Sequence, residues 1–383
     1  MSLTVCLAPA HTVAYPNIGG HFWVYLQWAL GLRSLGCNVI WLEVIDANEP
    51  ASEIDRKVAT VQARLARWGL ANCLALTDAA GTLPRRLAAQ HLDLQAATEA
   101  ELLVNLWHSL PAPIVQRFRR SCLIDTDPGL LQTWITAGSV RVAPHDTYFT
   151  IGETVGTGAA RFPDCGLHWV YTPPAIFLPE WPVMASHRNA CYTTVAHWWG
   201  GKIDHGGTTF WNEKRVAFLD YLDLPARARV RLEIAVCLAE CFDEYRQLME
   251  PRGWRVRESW EISSTLEAYR AYIQQSRGEF SCAKPAYVKL DTAWISDRTL
   301  CYLASGRPAV VQHTGRSGVL PDADGLFRFR TLDEAAAALA AVESDYERHC
   351  RQARALVEEH FEAGRVASRV LERALERPLK RAV

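Results

Sequence analysis

The sequence lacks several features that would assign it to a familiar class of protein. Its 41 basic and 42 acidic residues leave a net charge of -1, so bulk charge gives no reason to expect nucleic acid or an anionic membrane as a partner. No basic start followed by an apolar run marks a signal peptide, and we expect a cytoplasmic protein. The most apolar segment, residues 21–32, contains Gln27 and is too short to span a bilayer.

Missing motifs exclude further classes. The 11 cysteines include no CxxC pair, and we expect them to be small buried residues in a reducing environment. No cysteine and histidine spacing suits a zinc site. Neither half of the chain carries GxGxxG after its first strand, which argues against a Rossmann dehydrogenase.

What the chain does contain is a regular alternation of short apolar runs and helical patterns. Strands are predicted at residues 3–8, 38–44, 101–106, 122–125, 147–151, 191–196, 230–236, 255–258, 280–283 and 308–312. Helical patterns separate many of these runs, which is typical of parallel sheets covered on both faces. We therefore predict an α/β protein with two doubly wound, Rossmann-like domains that face each other across a cleft.

A proline-rich segment divides the two predicted domains. The stretch "WVYTPPAIFLPEWP", residues 169–182, has four prolines, which oppose both helices and central strands. We predict a first domain at 1–170, a linker at 171–185, a second domain at 186–345 and C-terminal helices at 346–383 that pack back on the first domain. Ligands of such sheets bind beyond the carboxyl ends of the strands, so we expect the binding and catalytic residues at the strand ends.

The stretch "WISDRTLCYLASGRPAVVQHTG", residues 294–315, has the pattern of a helix followed by a strand. Ser296 can be the N-cap, Asp297 and Arg298 fall in the first turn, and Gly306 can end the helix. Free N–H groups beside a cation suit a diphosphate. The alternative is a well-capped amphipathic helix with a solvated Asp–Arg pair, and the residues alone do not decide between the two.

Other candidate phosphate and nucleotide contacts lie at strand ends of the same domain. The loop after the strand at 308–312 contains Gln312, Thr314 and Gly315, which could line a nucleotide pocket. Two glycines before Lys202 would let backbone amides approach a phosphate, while the lysine adds a charge. Lys284 follows another strand. Either lysine could equally be a solvated surface cation.

The second half of the chain resembles the donor-binding region of GT-B glycosyltransferases. The resemblance rests on "SDRTLCYLASGRPAVVQHTG", "GVLP" and "GLFRFRTLDEAAAAL". It implies that this domain binds a nucleotide-sugar and that helix-end amides and cations, rather than a metal or another cofactor, neutralise the diphosphate. The implied donor-binding residues are Gly20, Lys202, Lys284, Ser296, Asp297, Arg298, Gln312, Thr314 and Gly315. Many retaining members carry a glutamate in the donor helix, where this chain has Cys301 and Tyr302.

The first half resembles the opening strand–helix–strand unit of the same fold class. In "AYPNIGGHFWVYLQWALGLRSLGCNVIWLE", two glycines allow a tight turn and His21 falls at the helix start. In inverting members a histidine at this position removes the proton of the acceptor hydroxyl, and a pKa near neutrality suits that task. The alternative is that His21 is a helix residue stacked on Trp23 or Tyr25.

Three carboxylates at strand ends are candidates for work beside His21. Asp125 and Asp127 follow one strand and Glu153 follows the next. Asp125 or Asp127 could orient the base or bind the acceptor, and Glu153 could be a further base or bind the acceptor. Asp127 could instead cap the next helix. Some of the 14 tryptophans could stack on a sugar or aglycone, although packing explains most of them.

These features predict a glycosyltransferase that inverts the sugar, with His21 as general base and with Asp127 and Glu153 as further catalytic candidates. Three alternatives remain: a retaining transferase, a sugar-nucleotide epimerase, and a non-catalytic protein that binds nucleotide-sugars. The sequence leaves the sugar, the acceptor and the oligomeric state open.

Overall fold

The computed structural model describes residues 2–237, 241–322 and 324–376, and they form two compact units. The first unit comprises the chain up to Ile151, Pro163–Phe177 and the segment from Ala363 onward. The second comprises Gly152–Phe162 and Leu178–Glu362. Each unit is built on its own parallel sheet, as the alternating sequence pattern predicts.

The first unit has a parallel sheet whose described strands run in the order β3-β2-β1-β4-β5-β6-β7. Its strands are β1 (Thr4–Ala8), β2 (Asn38–Val44), β3 (Leu74–Thr77), β4 (Leu102–Asn105), β5 (Ser121–Asp125), β6 (Thr147–Thr150) and β7 (Trp169–Tyr171). The helices between them are α1 (Gly19–Ser34), α2 (Ala51–Ala66), α3 (Arg85–Ala88), α4 (Leu94–Ala97), α5 (Ala112–Val115) and α6 (Leu130–Thr136). The order reverses at β1 and β4, where ligands of such sheets bind.

The second unit has a parallel sheet in the order β12-β11-β8-β13-β14-β15 and a separate hairpin of β9 and β10. Its strands are β8 (Tyr192–His197), β9 (Lys202–His205), β10 (Thr208–Trp211), β11 (Leu232–Cys237), β12 (Trp254–Glu258), β13 (Gly278–Ser281), β14 (Ala309–Gln312) and β15 (Leu326–Phe329). Its helices are α7 (Lys214–Leu219), α8 (Leu224–Ala228), α9 (Phe242–Met249), α10 (Ser259–Ser263), α11 (Leu266–Gln275), α12 (Pro285–Leu290), α13 (Asp297–Ala304), α14 (Leu332–Ser344) and α15 (Tyr346–His360). Here β8 and β13 are the neighbours at which the order reverses.

The C-terminal helices divide between the two units, which differs from the predicted boundaries. Helix α15 belongs to the second unit, whereas α16 (Ala363–Leu375) returns to the first and packs on α1. Gly152–Phe162 also belongs to the second unit, although the predicted first domain runs to residue 170. Within the described ranges, no helix combines the length and the apolar character needed to cross a membrane.

Candidate functional site

The carboxyl end of the second sheet carries a cluster of polar and charged side chains. They come from β13, from β14 and from the first residues of α7 and α13. One cavity is lined by Lys214, Ser281, Cys282, Ala283, Trp294, Ile295, Ser296, Arg298, Thr299, Val311, Gln312 and Thr314. Four of the predicted donor-binding residues, Ser296, Arg298, Gln312 and Thr314, therefore meet at one place.

Arg298 is held by a set of charge-assisted hydrogen bonds. Its Nε donates to Glu279 Oε1 at 2.7 Å, and its two terminal nitrogens donate to Val195 O at 3.1 Å and to Ser281 Oγ at 2.8 Å. Glu279 is fully buried, so this ion pair is shielded from water. The predicted alternative of a solvated Asp–Arg pair is therefore wrong for Arg298. Burial raises the pKa of its neighbour Asp297.

Lys214 brings a second cation to the same point, and this one is buried. Sequence reasoning missed it. Its Nζ donates to Ser281 Oγ at 3.2 Å and to Cys282 O. Burial, followed by the nearby charge of Arg298, lowers the pKa of Lys214 to about 7. An ammonium group has three N–H donors, so one remains for a ligand beyond these two bonds. Two cations near one buried carboxylate give the cavity a positive character that suits an anion.

The start of α13 is shaped by a strained connection. Ser296 is the N-cap residue, as predicted, but its side chain makes no capping hydrogen bond. Asp291 and Ala293 just before it have positive φ values of 57° and 53°. Gly315 fits against them without a side chain, because a Cβ on it would lie 2.5 Å from the Ala293 nitrogen. Such strain persists only where the surroundings enforce it, and it is common at functional sites.

The end of β14 and the loop after it contain the predicted donor residues Gln312, Thr314 and Gly315. Thr314 Oγ1 donates to Trp294 O at 2.5 Å, and Ala293 N donates to Thr314 O at 2.8 Å. Gln312 Oε1 accepts a hydrogen bond from Ala283 N at 3.0 Å. These bonds connect β14, β13 and the start of α13 around one cavity.

Three other predicted donor-binding residues lie elsewhere. Lys202 is an exposed residue of the β9–β10 hairpin, and its Nζ lies 4.8 Å from the ring centroid of Trp211, outside the lining of this cavity. Gly20 belongs to α1 in the first unit. Lys284 is half-buried at the N-cap of α12, close enough that its charge contributes to lowering the pKa of Lys214.

His21 lies in the first turn of α1, where the sequence predicts it. Its Nε2 lies 2.6 Å from Ala10 O, so Nε2 carries the proton and Nδ1 keeps a lone pair. Its ring lies edge-on to Tyr25 at 5.0 Å. Burial lowers the pKa of His21, and this effect outweighs the Ala10 hydrogen bond, which raises it. A backbone carbonyl, rather than a carboxylate, thus holds the ring.

The carboxylate of Asp125 is tied into the end of the first sheet. It accepts hydrogen bonds from Gln132 Nε2 and Thr150 Oγ1, both at 3.0 Å, and from Asp127 N at 2.9 Å. Burial nevertheless raises its pKa to about 7. The N-cap of α6 is Gly129. Asp127 is therefore not the N-cap residue of this helix.

Glu153 belongs to the second unit, whereas Asp125 and Asp127 belong to the first. Its Oε1 accepts from Ser317 Oγ, and its Oε2 accepts from Gly318 N at 2.7 Å. Both oxygens therefore hold the loop that follows β14.

Three residues that sequence reasoning left out of the candidate site lie at strand ends near His21. His11 follows β1, and Trp107 and His108 follow β4. The His11 ring packs on Trp107 at 4.4 Å, and the charge of Asp127 opposes the effect of burial on the pKa of His108. Among the described residues, no three His, Cys, Asp or Glu side chains form a group that could hold a metal ion.

Comparisons with known proteins find similarity in structure only. No protein-family model matches the sequence, and no curated protein matches it significantly. An alpha-glucosyltransferase in complex with UDP-glucose and abasic-site DNA is 10% identical with a TM-score of 0.61, covering 98% of this chain and 100% of that one. Anabaena Alr3699/HepE in complex with UDP is 10% identical with a TM-score of 0.58 and the same coverage. A glycosyltransferase from Rickettsia africae is 8% identical with a TM-score of 0.57, covering 98% of both chains. The chain therefore has the GT-B fold, as its sequence resemblance predicted.

Proposed function

We propose that this chain is a glycosyltransferase that moves a sugar from a nucleotide-sugar donor to a hydroxyl group of an acceptor. The observation that carries the proposal is the pair formed by buried Lys214 and half-buried Arg298 at the carboxyl ends of the strands in the second unit. The fold supports it, since solved neighbours with this fold are complexes with UDP or UDP-glucose.

In this proposal the donor diphosphate lies at the start of α13. The spare N–H of Lys214 and the first backbone amides of the helix donate hydrogen bonds to the diphosphate. They also place positive charge beside it. Arg298 fixes Ser281, the shared acceptor of both cations, and so holds Lys214 in place. Ser296, Gln312 and Thr314 line the remaining cavity. Because these groups are in place before the reaction, they stabilise the leaving diphosphate without a metal.

In the same proposal the first unit binds the acceptor, and His21 is the base of an inverting displacement. The Nδ1 lone pair accepts the acceptor proton, and the Ala10 carbonyl keeps the ring in the tautomer that leaves this atom free. Asp127 is an acceptor contact. Glu153 is a positioning residue, because it holds the loop next to Thr314 through Ser317 and Gly318.

The test is sugar transfer by the purified protein from UDP-, dTDP- and GDP-sugars, with and without a chelator. We expect His21→Gln to lower kcat by about 10²–10⁴-fold while leaving nucleotide affinity unchanged. His168→Gln, at an exposed position of the first unit, is the matched control. Unchanged turnover of the His21 variant would remove the assigned base.

The products, nucleotide binding and the effect of the chelator distinguish the alternatives. A product with retained anomeric configuration would mean a retaining transferase. Altered donor without any acceptor would mean an epimerase. Nucleotide binding with no turnover across a broad acceptor panel would mean a binding protein. Loss of transfer on chelation would contradict the metal-free mechanism.

A further inference from the structure

The second unit has another cavity, where α13 ends, in addition to the donor cavity where α13 begins. Its volume of about 390 Å³ is within the range of small-molecule sites. The lining comes from residues 183–186, from Gly306 and Arg307, and from α15, all of which belong to the second unit. Because Arg307 lies two residues before β14, this cavity is at the amino end of that strand.

Arg307 is buried at this cavity and keeps hydrogen-bond donors to spare. The residue is 1% exposed. Its Nε and Nη2 donate to Gln274 O at 3.1 and 2.6 Å, and Nη2 also donates to Ala185 O at 3.0 Å. These bonds use three of its five N–H groups. Nowhere in the described part of the chain does an acceptor meet the other two, on Nη1, and a buried N–H without an acceptor is unfavourable.

Guanidinium groups outnumber carboxylates in the lining of this cavity. Arg307, Arg351 and Arg354 contribute positive charge, against the carboxylates of Glu347 and Glu358. Arg354 pairs with Glu358 at 2.6 Å. Within the described ranges, neither Arg351 nor Glu347 has an ion pair. The lining therefore has a net positive charge, which favours an anion.

The lining also has an apolar part. Val183 and Met184 are large apolar residues, yet they are 56% and 47% exposed. Ala185 and Ala355 line the cavity as well. Gly306 allows Val183 to approach the end of α13, because a Cβ on Gly306 would lie 2.9 Å from Val183 Cγ1. A ligand that covers these side chains removes apolar surface from water, which stabilises its binding.

We propose that this cavity binds a small organic anion, with its carboxylate or phosphate on Arg307 and Arg351 and its apolar body on Val183 and Met184. Bonds to two backbone carbonyls hold the Arg307 guanidinium before the ligand arrives, so little freedom is lost when it binds. The proposal is independent of the glycosyltransferase reaction, because the lining shares no residue with the donor cavity.

The experiment is a ligand-observed NMR titration of the purified protein with probes that separate the two features. Phenyl phosphate has a charge and an apolar body, benzyl alcohol has only the body, and methyl phosphate has the charge with almost no body. We expect phenyl phosphate to bind at least about tenfold more tightly than either of the others. Benzoate in its place shows whether a carboxylate or a phosphate is the preferred head group. Equal binding of benzyl alcohol, or no binding of phenyl phosphate and benzoate, would overturn the proposal.

Two exposed residues of α15 provide variants with opposite expected effects. Arg351→Gln should weaken phenyl phosphate binding about threefold and Glu347→Gln should strengthen it about threefold, because each changes the charge of the lining by one unit. Arg119→Gln, at an exposed position of the first unit, is the control. Arg307→Lys keeps the charge but loses the planar pair of donors, so it should weaken binding more than Arg351→Gln. Unchanged binding in Arg351→Gln and Glu347→Gln, or changes of the same sign, would contradict the assignment.

Hydrogen exchange and a titration with UDP locate the probe. Phenyl phosphate should slow amide exchange in residues 183–186 and in α15. Slower exchange at residues 294–299 alone, or displacement of phenyl phosphate by UDP, would place the probe in the donor cavity and overturn the proposal. A protein that binds phenyl phosphate at residues 183–186 and α15 but does not bind UDP would keep this site and remove the proposed function.

Discussion

Lys214 shows how one buried side chain can set the charge of a site. It lies at the first position of α7, is 6% exposed, and uses two N–H groups on Ser281 and Cys282. We expect Lys214→Met to weaken UDP binding by about 10- to 100-fold, because a hydrogen bond to a charged group contributes about 1.5–3 kcal/mol. Calorimetry with UDP measures this.

Two further lysine variants complete that experiment. Lys289→Met is the control, since Lys289 is an exposed residue at the end of α12. Lys202→Met tests the sequence prediction directly. Because Lys202 lies on the hairpin, outside the cavity lining, we expect this variant to lose less UDP affinity than Lys214→Met. A larger loss of UDP affinity in Lys202→Met than in Lys214→Met would support the sequence prediction and would mean that the diphosphate binds at the hairpin.

The lowered pKa of Lys214 makes nucleotide binding proton-linked. With a pKa of about 7, the free side chain is largely neutral at pH 8, and a bound diphosphate stabilises its charged form. UDP binding at pH 8 should therefore take up a proton, and the uptake should disappear below about pH 6, where Lys214 is already charged. Calorimetry in two buffers of different ionisation enthalpy measures the uptake. Persistent uptake in Lys214→Met would show that another group titrates.

At this scale the sequence reveals the residues that carry helix-start signals and hides those that depend on tertiary contacts. Ser296 and Arg298 could be predicted because a cap, a charged first turn and a glycine stop mark one helix. Lys214 could not, because "NEKR" has the composition of a solvated helix start. Its burial arises only when Ser281 at the end of β13 and the next residue, Cys282, come against it. His11 and His108 could not be predicted as site residues, because they lie in segments without any motif.

Among the elements, most strands of the two parallel sheets were predicted, whereas one hairpin and three strands were missed. Strand β2 matches its predicted range, and α13 begins one residue after the predicted cap. The sequence predicts a glycine-containing phosphate contact at Lys202, whereas the structure has the β9–β10 hairpin there. Its four-residue strands flank a Gly-Gly turn and bury few side chains, so they leave no apolar pattern in the sequence. Strands β3, β7 and β15 were also missed. Strand β7 lies in the proline-rich stretch that the sequence predicts as a linker.

The turn after β14, which packs against the segment before α13, offers a test at the same scale. Gly315 has a φ of 129°, and a Cβ there would lie 2.5 Å from Ala293 N and 2.8 Å from Asp291 O. We expect Gly315→Ala to lower the free energy of unfolding by about 1–3 kcal/mol and to weaken UDP binding, because the start of α13 must shift. Gly158→Ala, where nothing lies within 4 Å of the added atom, is the control. Denaturant unfolding and calorimetry measure the two effects, and unchanged UDP affinity would separate this turn from the donor site.

At the scale of the whole molecule, the path of the chain between its two units was the hardest feature to predict. Helices α15 and α16 are both amphipathic and lie next to each other in sequence, yet α15 packs in the second unit and α16 in the first. The sequence indicates a break near Gly364 but carries no signal for which sheet each helix covers. That choice depends on surface complementarity, which is absent from local periodicity.

The packing of α16 on α1 includes one close approach, and this gives a test with opposing effects. Gly31 on α1 faces Ala363 so closely that an added Cβ would lie 2.8 Å from the Ala363 carbonyl oxygen. Alanine favours a helix over glycine by about 1 kcal/mol, but overpacking against backbone costs about 1–3 kcal/mol. Ala363 is also tied by its N–H to Ile176 O at 2.9 Å, so it cannot move away freely. We therefore expect Gly31→Ala to speed amide hydrogen exchange in α16 and α1 while leaving β8 and β13 unchanged, as measured by mass spectrometry. Slower exchange in α16 would mean that helix propensity outweighs packing and that the helix–helix contact adapts to the added methyl group.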